Sequence, residues 1–400
     1  MSIGIGRGAR TLREAQDMAE HALDMAQGRG GDQAAEMTLD GFTFYGGVSH
    51  GVEKRSKVRS RLVADQLVKL IKEADHVVIM GHRMSDLDAI GAAEGVLRIC
   101  KICDVPAVIA VRRDATLAAS LIDALCKAGQ KDDFIDPKDA LPIISKRTLC
   151  IVVDTYQAGL VESKDILEKC GKVAVIDHHR KGVGYIENPA LVCHEPYSSS
   201  ASELVTELLQ YVGERDDKPN RVEAEGLLAG ILLDTQDFTL HTGVRTFEAA
   251  AALRRYGAET ERVRRLFDVT MVEYNAKADL VEKAQMYKNC AISIGGEVAP
   301  EARVAIAQAA NDLLRIQGVD ASFVAVQVGN GVNVSARSMG AVNVQVLMES
   351  LGGGGHQTMA AAQLKHITPQ AARSRIQDAI DQYYLSQKKT TPEARPAKGE

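Results

Sequence analysis

Four short apolar runs constrain the fold of this 400-residue chain more than any other feature. They are His76 to Met80, Val105 to Val111, Leu149 to Val153 and Val173 to Ile176, and helical patterns separate them. Strands that are apolar on both faces and spaced by helices build a parallel sheet covered by helices, so the class is α/β. Composition agrees, with 46% apolar and 25% charged residues, the balance of a globular protein. A net charge of -5 argues against a duplex-binding phosphate surface, but leaves room for a small anion held by a few local cations. Seven cysteines in no framework spacing fit a reducing, cytoplasmic setting. No run approaches the roughly 18–20 apolar residues of a membrane span. The opening MSIGIGRGAR lacks the apolar core of a signal peptide.

The rest of the chain arranges itself around that sheet. Residues 1–50 give a short strand near Ile3, an amphipathic helix over Leu12 to Met25, and a hairpin turning at Asp40-Gly41. One helix and a hairpin bury little, so this reads as the tail of a larger domain. Residues 51–75 read as a charged linker helix, 76–260 as the parallel-sheet domain, and 261–288 as a second linker helix. Residues 289–385 restart a strand/helix pattern that makes a smaller α+β domain. The Pro- and charge-rich end, 386–400, reads as disordered.

In an open α/β sheet, ligands bind beyond the carboxyl ends of the strands. His82, Asp86 and Asp88 follow the first run, Asp154 follows the third, and Asp177-His178-His179 follow the fourth. Asp234 follows the apolar stretch Leu227 to Leu233. A lone Asp after a strand is usually a helix cap and a lone His usually packing. So many carboxylates and imidazoles at one edge would repel unless cations compensate them. Oxygen and imidazole donors without cysteine suit manganese or magnesium better than structural zinc, with iron, cobalt and catalytic zinc left open. The count suits two metals sharing a bridging carboxylate, an arrangement used for displacement at phosphorus.

A second cluster is Gly352-Gly353-Gly354-Gly355-His356, preceded by Ser335-Ala336-Arg337-Ser338. Glycines let backbone amides approach an anion, and arginine suits bidentate phosphate contact. Three other motifs carry less. Gly4-Ile5-Gly6-Arg7-Gly8-Ala9 matches a dinucleotide fingerprint but lacks a full preceding strand. Cys100-Lys101-Ile102-Cys103 has no second pair, and the basic run Lys54 to Arg61 reads as a solvated face.

The order H-x-x-x-D-x-D, lone D, D-H-H and GGGGH resembles the DHH phosphoesterase superfamily with its DHH-associated C-terminal domain. GHRMSDLDAIG, VIDHHRKG, LAGILLDTQDFTLHTGVRTFEAA and NVSARSMGAVNVQVLMESLGGGGH are similar to its GdpP-type (YybT-type) cyclic di-AMP phosphodiesterases. ALDMAQGRGGDQAA and the following hairpin resemble the end of the degenerate GGDEF domain of that branch, here N-terminally shortened. Asp154-Thr155-Tyr156-Gln157-Ala158-Gly159 departs from the pattern in lacking a basic residue and a proline. The resemblance implies hydrolysis of cyclic di-AMP to 5′-pApA with two manganese ions, magnesium or cobalt substituting. It places one ion on His82, Asp86 and Asp154, and the other on Asp88, Asp154, His178 and Asp234. Asp177 would orient an imidazole, and His179 would face the phosphate. Ser335, Arg337, Ser338, Gly353, Gly354, Gly355 and His356 would grip the nucleotide, with the site in the cleft between the two domains. It also implies a homodimer, and membrane anchoring of a full-length member with this part in the cytoplasm. The alternatives are an oligoribonuclease or pApA hydrolase, a 3′-phosphoadenosine phosphatase, and a non-catalytic cyclic-dinucleotide receptor.

Overall fold

The structure, a computed structural model, describes residues 2–28, 33–39, 41–46, 57–179, 184–214, 217–297, 303–355 and 357–390. The chain divides into two bodies, Met1–Phe267 and Asp268–Glu400.

The first body opens with β1 (Ile3–Gly6), α1 (Leu12–Gly28), β2 (Gln33–Thr38) and β3 (Gly41–Gly46). β1 runs parallel to β2, and β2 and β3 form the expected hairpin, although Asp40 at its turn lies outside the described residues. A Cβ on Gly4 would stand 2.7 Å from Leu23 Cβ, and one on Gly6 2.9 Å from Met18 Cβ. Those glycines let β1 lie against α1, which accounts for their spacing without a nucleotide.

Helix α2 (Lys57–Glu73) buries Ala64, Leu67 and Ile71 and leads into the main sheet. The sheet's strands are β4 (His76–Met80), β5 (Ala107–Ala110), β6 (Phe134–Ile135), β7 (Thr148–Val153), β8 (Lys172–Asp177) and β9 (Leu191–His194). All pair in parallel, in the order β6-β5-β4-β7-β8-β9. Alternate residues feed two cores: Val77, Ile79, Leu149, Ile151 and Val153 on one face, Val78, Met80, Cys150 and Val152 on the other. That two-sided burial is why these runs are continuously apolar. The runs under β6 and β9 are too short to be read from periodicity.

The helices are α3 (Leu87–Ile102), α4 (Ala119–Lys127), α5 (Pro137–Ala140), α6 (Lys164–Lys169), α7 (Ala201–Leu209), α8 (Arg221–Thr235), α9 (Val244–Arg255) and α10 (Thr260–Arg265). α3 packs tightly on α8: a Cβ on Gly91 would stand 2.5 Å from the carbonyl oxygen of Gly226. Near that contact Glu94 is fully buried. Arg98 is committed to Glu223, at 2.8 and 2.6 Å, and Gln130 reaches Glu94 only at 3.5 Å. Burial and the neighbouring Glu223 push the Glu94 carboxyl up to about 8. Its folded value exceeds its unfolded one, so this group's contribution to stability is full below about pH 4.5 and is lost as pH rises through 8. Glu94→Gln is therefore expected to melt increasingly higher than the parent between pH 5 and pH 8. The gap should reach a few kcal/mol, because each tenfold change in a protonation equilibrium is worth about 1.4 kcal/mol, and thermal denaturation across that range measures it. A constant gap would show that Glu94 does not titrate there.

The stretch expected as one linker helix, 261–288, is instead the end of α10, a break, α11 (Met271–Glu282) and β10 (Gln285–Tyr287). Thr270 and Glu273 form a reciprocal cap that starts α11 afresh, and the division between the bodies falls in that break. The second body continues with β11 (Cys290–Glu297), α12 (Arg303–Leu313), β12 (Ala321–Val328), β13 (Gly331–Ser338), α13 (Val344–Ser350), β14 (Gly354–Gly355), β15 (Met359–Lys365) and α14 (Pro369–Thr390). Its mixed sheet has the order β10-β11-β12-β13-β15-β14. α14 runs five residues into the segment expected to be disordered, and 391–400 lie outside the described residues. No helix among the described residues is long and apolar enough to cross a membrane.

Candidate metal centre

The chain lays β4, β5 and β6 outward in one direction, then returns to place β7, β8 and β9 on the other side of β4. The carboxyl ends of β4 and β7 thus flank the switch in strand order, where an open sheet offers a crevice. His82 and Asp86 follow β4, Asp154 follows β7, and Asp177, His178 and His179 end or follow β8. Asp88 comes from the first turn of α3, and Asp234 from the last turn of α8.

All eight side chains converge. His82 Nε2 lies 3.4 Å from Asp154 Oδ2 and 3.8 Å from Asp86 Oδ1. His178 Nε2 lies 3.0 Å from Asp234 Oδ2, 3.4 Å from Asp154 Oδ1 and 3.9 Å from Asp88 Oδ2. His179 Nδ1 lies 2.8 Å from Asp177 Oδ1 and 3.6 Å from Asp154 Oδ1. Among the described residues three ligand groups fit within 4.8 Å: His82, Asp86 and Asp154; Asp88, His178 and Asp234; and Asp154, His178 and His179. Asp154 is the only carboxylate in two of them.

Local structure aims these groups. His82 Nδ1–H donates to the Arg83 carbonyl at 2.8 Å, leaving Nε2 to face the carboxylates. Asp86 Oδ1 caps α3, accepting from the amides of Asp88 and Ala89, so the cap reading and the site reading are both true of it. Asp154 adopts the left-handed region, φ 59°, which Asp tolerates better than most residues, and its amide donates to the Ile176 carbonyl. Asp177, fully buried, accepts from His179 Nδ1–H and from the His179 amide.

The charge balance is unusual. Five carboxylates face three imidazoles, and among the described residues none of the five has a lysine or arginine partner. Proton affinities shift in response. Burial opposes charge on His82, but its pairing with Asp154 and Asp86 outweighs that and pushes the imidazole up to about 11. Burial also opposes charge on His178, and Asp154 and Asp234 raise it regardless. Burial and neighbouring carboxylates drive Asp88 and Asp234 up, whereas contact with the imidazoles holds Asp154 and Asp177 below the usual carboxylate range against the burial effect. Among the described residues, Asp154 Oδ1 and His178 Nε2 are buried with no hydrogen-bond partner of good geometry. Inward-facing orphan donors of this kind, all oxygen or imidazole nitrogen, fit divalent cations that would displace those protons.

Residues 76–231 match the DHH family N-terminal domain, 299–385 the DHHA1 domain, and 1–40 the GGDEF domain of cyclic-di-AMP phosphodiesterase GdpP-like proteins. The chain is 45% identical over 390 residues to cyclic-di-AMP phosphodiesterase GdpP of Geobacillus thermodenitrificans, and 42% identical over 394 residues to that of Bacillus subtilis. Each match takes in 96% of this chain. The chain belongs to the GdpP-type branch of the DHH family. It spans 59% of the length of those two relatives. A solved exopolyphosphatase-related protein from Bacteroides fragilis shares the DHH fold, with a TM-score of 0.70 at 20% identity over 82% of this chain and 98% of its own.

Two contributors to the DHH centre lie outside the sequence reading. His194, at the end of β9, donates from Nε2 to the His179 carbonyl at 2.5 Å and packs against Tyr156. Its run, Leu191 to Cys193, is short, but it repeats the signal of apolar residues followed by His. The backbone amides of Ala201 and Ser202 donate to Asp88 at 2.7 and 2.8 Å, a contact no sequence pattern announces. In the DHHA1 domain Arg337 is held by Asn311 Oδ1 and Ser335 Oγ, each at 3.1 Å, and by the Ala336 carbonyl at 2.9 Å. Burial alone lowers it to about 10. Ser338 is buried, and its hydroxyl accepts from the Gly340 and Val342 amides, so it serves the turn after β13. Gly354 and Gly355 form a strand paired with Ala361 and Ala360 rather than an open loop. A Cβ on Gly353 would stand 2.7 Å from Ala362 Cα, so its requirement for glycine is met by packing on β15, while Gly354 is open. His356 lies outside the described residues.

Proposed function

We propose that the chain is the catalytic portion of a manganese-dependent phosphodiesterase that hydrolyses cyclic di-AMP to 5′-pApA. The observation that carries this reading is the pair of ligand groups, one of His82, Asp86 and Asp154, the other of Asp88, His178 and Asp234, joined by the 3.4 Å approach of His178 to Asp154. The activity for which those two relatives are named supports the choice of substrate. His82, Asp86 and Asp154 would hold one ion, and Asp88, Asp154, His178 and Asp234 the other. Bound there, two divalent cations supply a water nucleophile near neutral pH and offset charge on the phosphoryl oxygens.

The chain's own groups do the rest. Water adds to phosphorus as the bond from phosphorus to the ribose 3′ oxygen breaks. His179, with Nδ1–H committed to Asp177, offers Nε2 as the proton donor to that oxygen. Arg337 neutralises a non-bridging phosphate oxygen, steadied by Asn311 and Ser335.

The test is incubation with manganese and cyclic di-AMP, cyclic di-GMP or linear pApA, with products resolved by chromatography. Conversion of cyclic di-AMP to pApA is the expected result. Turnover of pApA alone would move the chain to the oligoribonuclease reading, and tight binding without turnover to the receptor reading. A finer prediction concerns Asp177, which sets the tautomer of His179. Asp177→Asn should lower kcat by about 10²–10⁴-fold, the usual value of a positioned acid, while manganese stoichiometry stays unchanged. Loss of bound manganese in that variant would instead make Asp177 a ligand.

A further inference from the structure

We infer that Gly230 is a positioning residue, required so that Asp88 can reach the second ion of the proposed centre. This rests on the two-metal reading above. Asp88 is fully buried, and both its oxygens are clamped by the start of α7, Oδ2 accepting from the Ala201 amide and Oδ1 from the Ser202 amide. Ser202 Oγ also donates to the Asp88 carbonyl at 3.3 Å. α8 crosses directly over this clamp, with Gly230 at the crossing and Asp234 one helical turn further on.

A Cβ at position 230 would overlap Ser202 Oγ and stand 2.6 Å from Asp88 Oδ1 and 2.8 Å from Asp88 Cα. The last of these is backbone, so rotation of a side chain cannot relieve it. Asp88 cannot swing aside without losing two hydrogen bonds from backbone amides. The added methyl group must either push α8 away from α3 or break the clamp. The first movement parts Asp88 from Asp234, and the second parts it from both His178 and Asp234. His82 follows β4, Asp154 follows β7 and Asp86 caps α3, and none of them supplies one of the three atoms nearest a Cβ at position 230.

The consequence is selective. Gly230→Ala should bind one manganese ion where the parent binds two, with the second weakened at least about tenfold, as when the support of a metal ligand is lost. Gly226→Ala is the control, one turn earlier on α8. The three atoms nearest its Cβ are Leu121 side-chain carbons, from 3.0 Å, and it gains the same helix propensity of about 1 kcal/mol. Manganese alone is the probe, titrated calorimetrically and by the paramagnetic signal of the free ion, with circular dichroism and melting followed on the metal-free proteins.

The expected result is two ions for the parent and for Gly226→Ala, and one for Gly230→Ala at unchanged secondary structure. Should Gly230→Ala fail to fold, the double variant Gly230→Ala, Ser202→Ala removes the overlap with Ser202 Oγ and leaves only the clash with Asp88. It should fold and bind one ion. Two ions bound with parental affinity in either variant would overturn the inference, as would equal loss in Gly226→Ala. Failure of the double variant to fold would make Gly230 a packing residue only. Fewer than two ions on the parent would instead defeat the two-metal reading itself.

Discussion

Replacing Asp154 with asparagine is expected to lower kcat/KM for cyclic di-AMP by at least about 10³-fold, some 4 kcal/mol of transition-state stabilisation. Asp154 belongs to the group of His82 and Asp86, and its Oδ1 lies 3.4 Å from His178 of the other group, so its loss weakens both proposed ions together. Asparagine keeps the size of the side chain and tolerates the left-handed backbone that Asp154 adopts, so the fold should survive. Its amide cannot replace the charge that two cations share. Manganese titration should accordingly show both affinities reduced, whereas Asp86→Asn should weaken one. Two ions retained with turnover within tenfold of the parent would remove Asp154 from the centre.

Arg337→Met is expected to raise KM by about 10–100-fold with a much smaller change in kcat. A charge-assisted contact to phosphate is worth about 1.5–3 kcal/mol, which converts to that range. Arg337 is charged and largely buried, and it has no carboxylate partner among the described residues, only neutral oxygens from Asn311, Ser335 and Ala336. An arrangement of that kind weakens the fold unless an anion arrives. Methionine fills the space without the charge, so melting temperature should hold or rise while substrate binding falls. Arg337→Lys should rescue little, because a point charge does not reproduce the planar fork. A fall in melting temperature with unchanged KM would make Arg337 a structural residue.

Much of this protein is written locally in its chain. The runs at 76–80, 149–153 and 173–176 can be read as strands because they are buried on both faces and so carry no polar interruption. The seven residues beyond their carboxyl ends follow from the rule that open sheets present ligand groups there, and the structure brings them together with Asp234 of α8. What the sequence could not decide is set by contacts between distant segments. The clamp on Asp88 comes from backbone amides 113 and 114 residues away, and amides have no sequence signature. Gly226 and Gly230 look like ordinary helix-weakening glycines until α3 and α7 are laid against α8. Ser338 and Gly353 show the converse. Their residue types suit phosphate, but turn and strand packing already account for them. The sequence by itself determined which residues could meet a metal, because side-chain chemistry and strand ends are local properties. The tertiary structure alone decided which residues aim them, because close approach and backbone donation exist only between segments that have already packed.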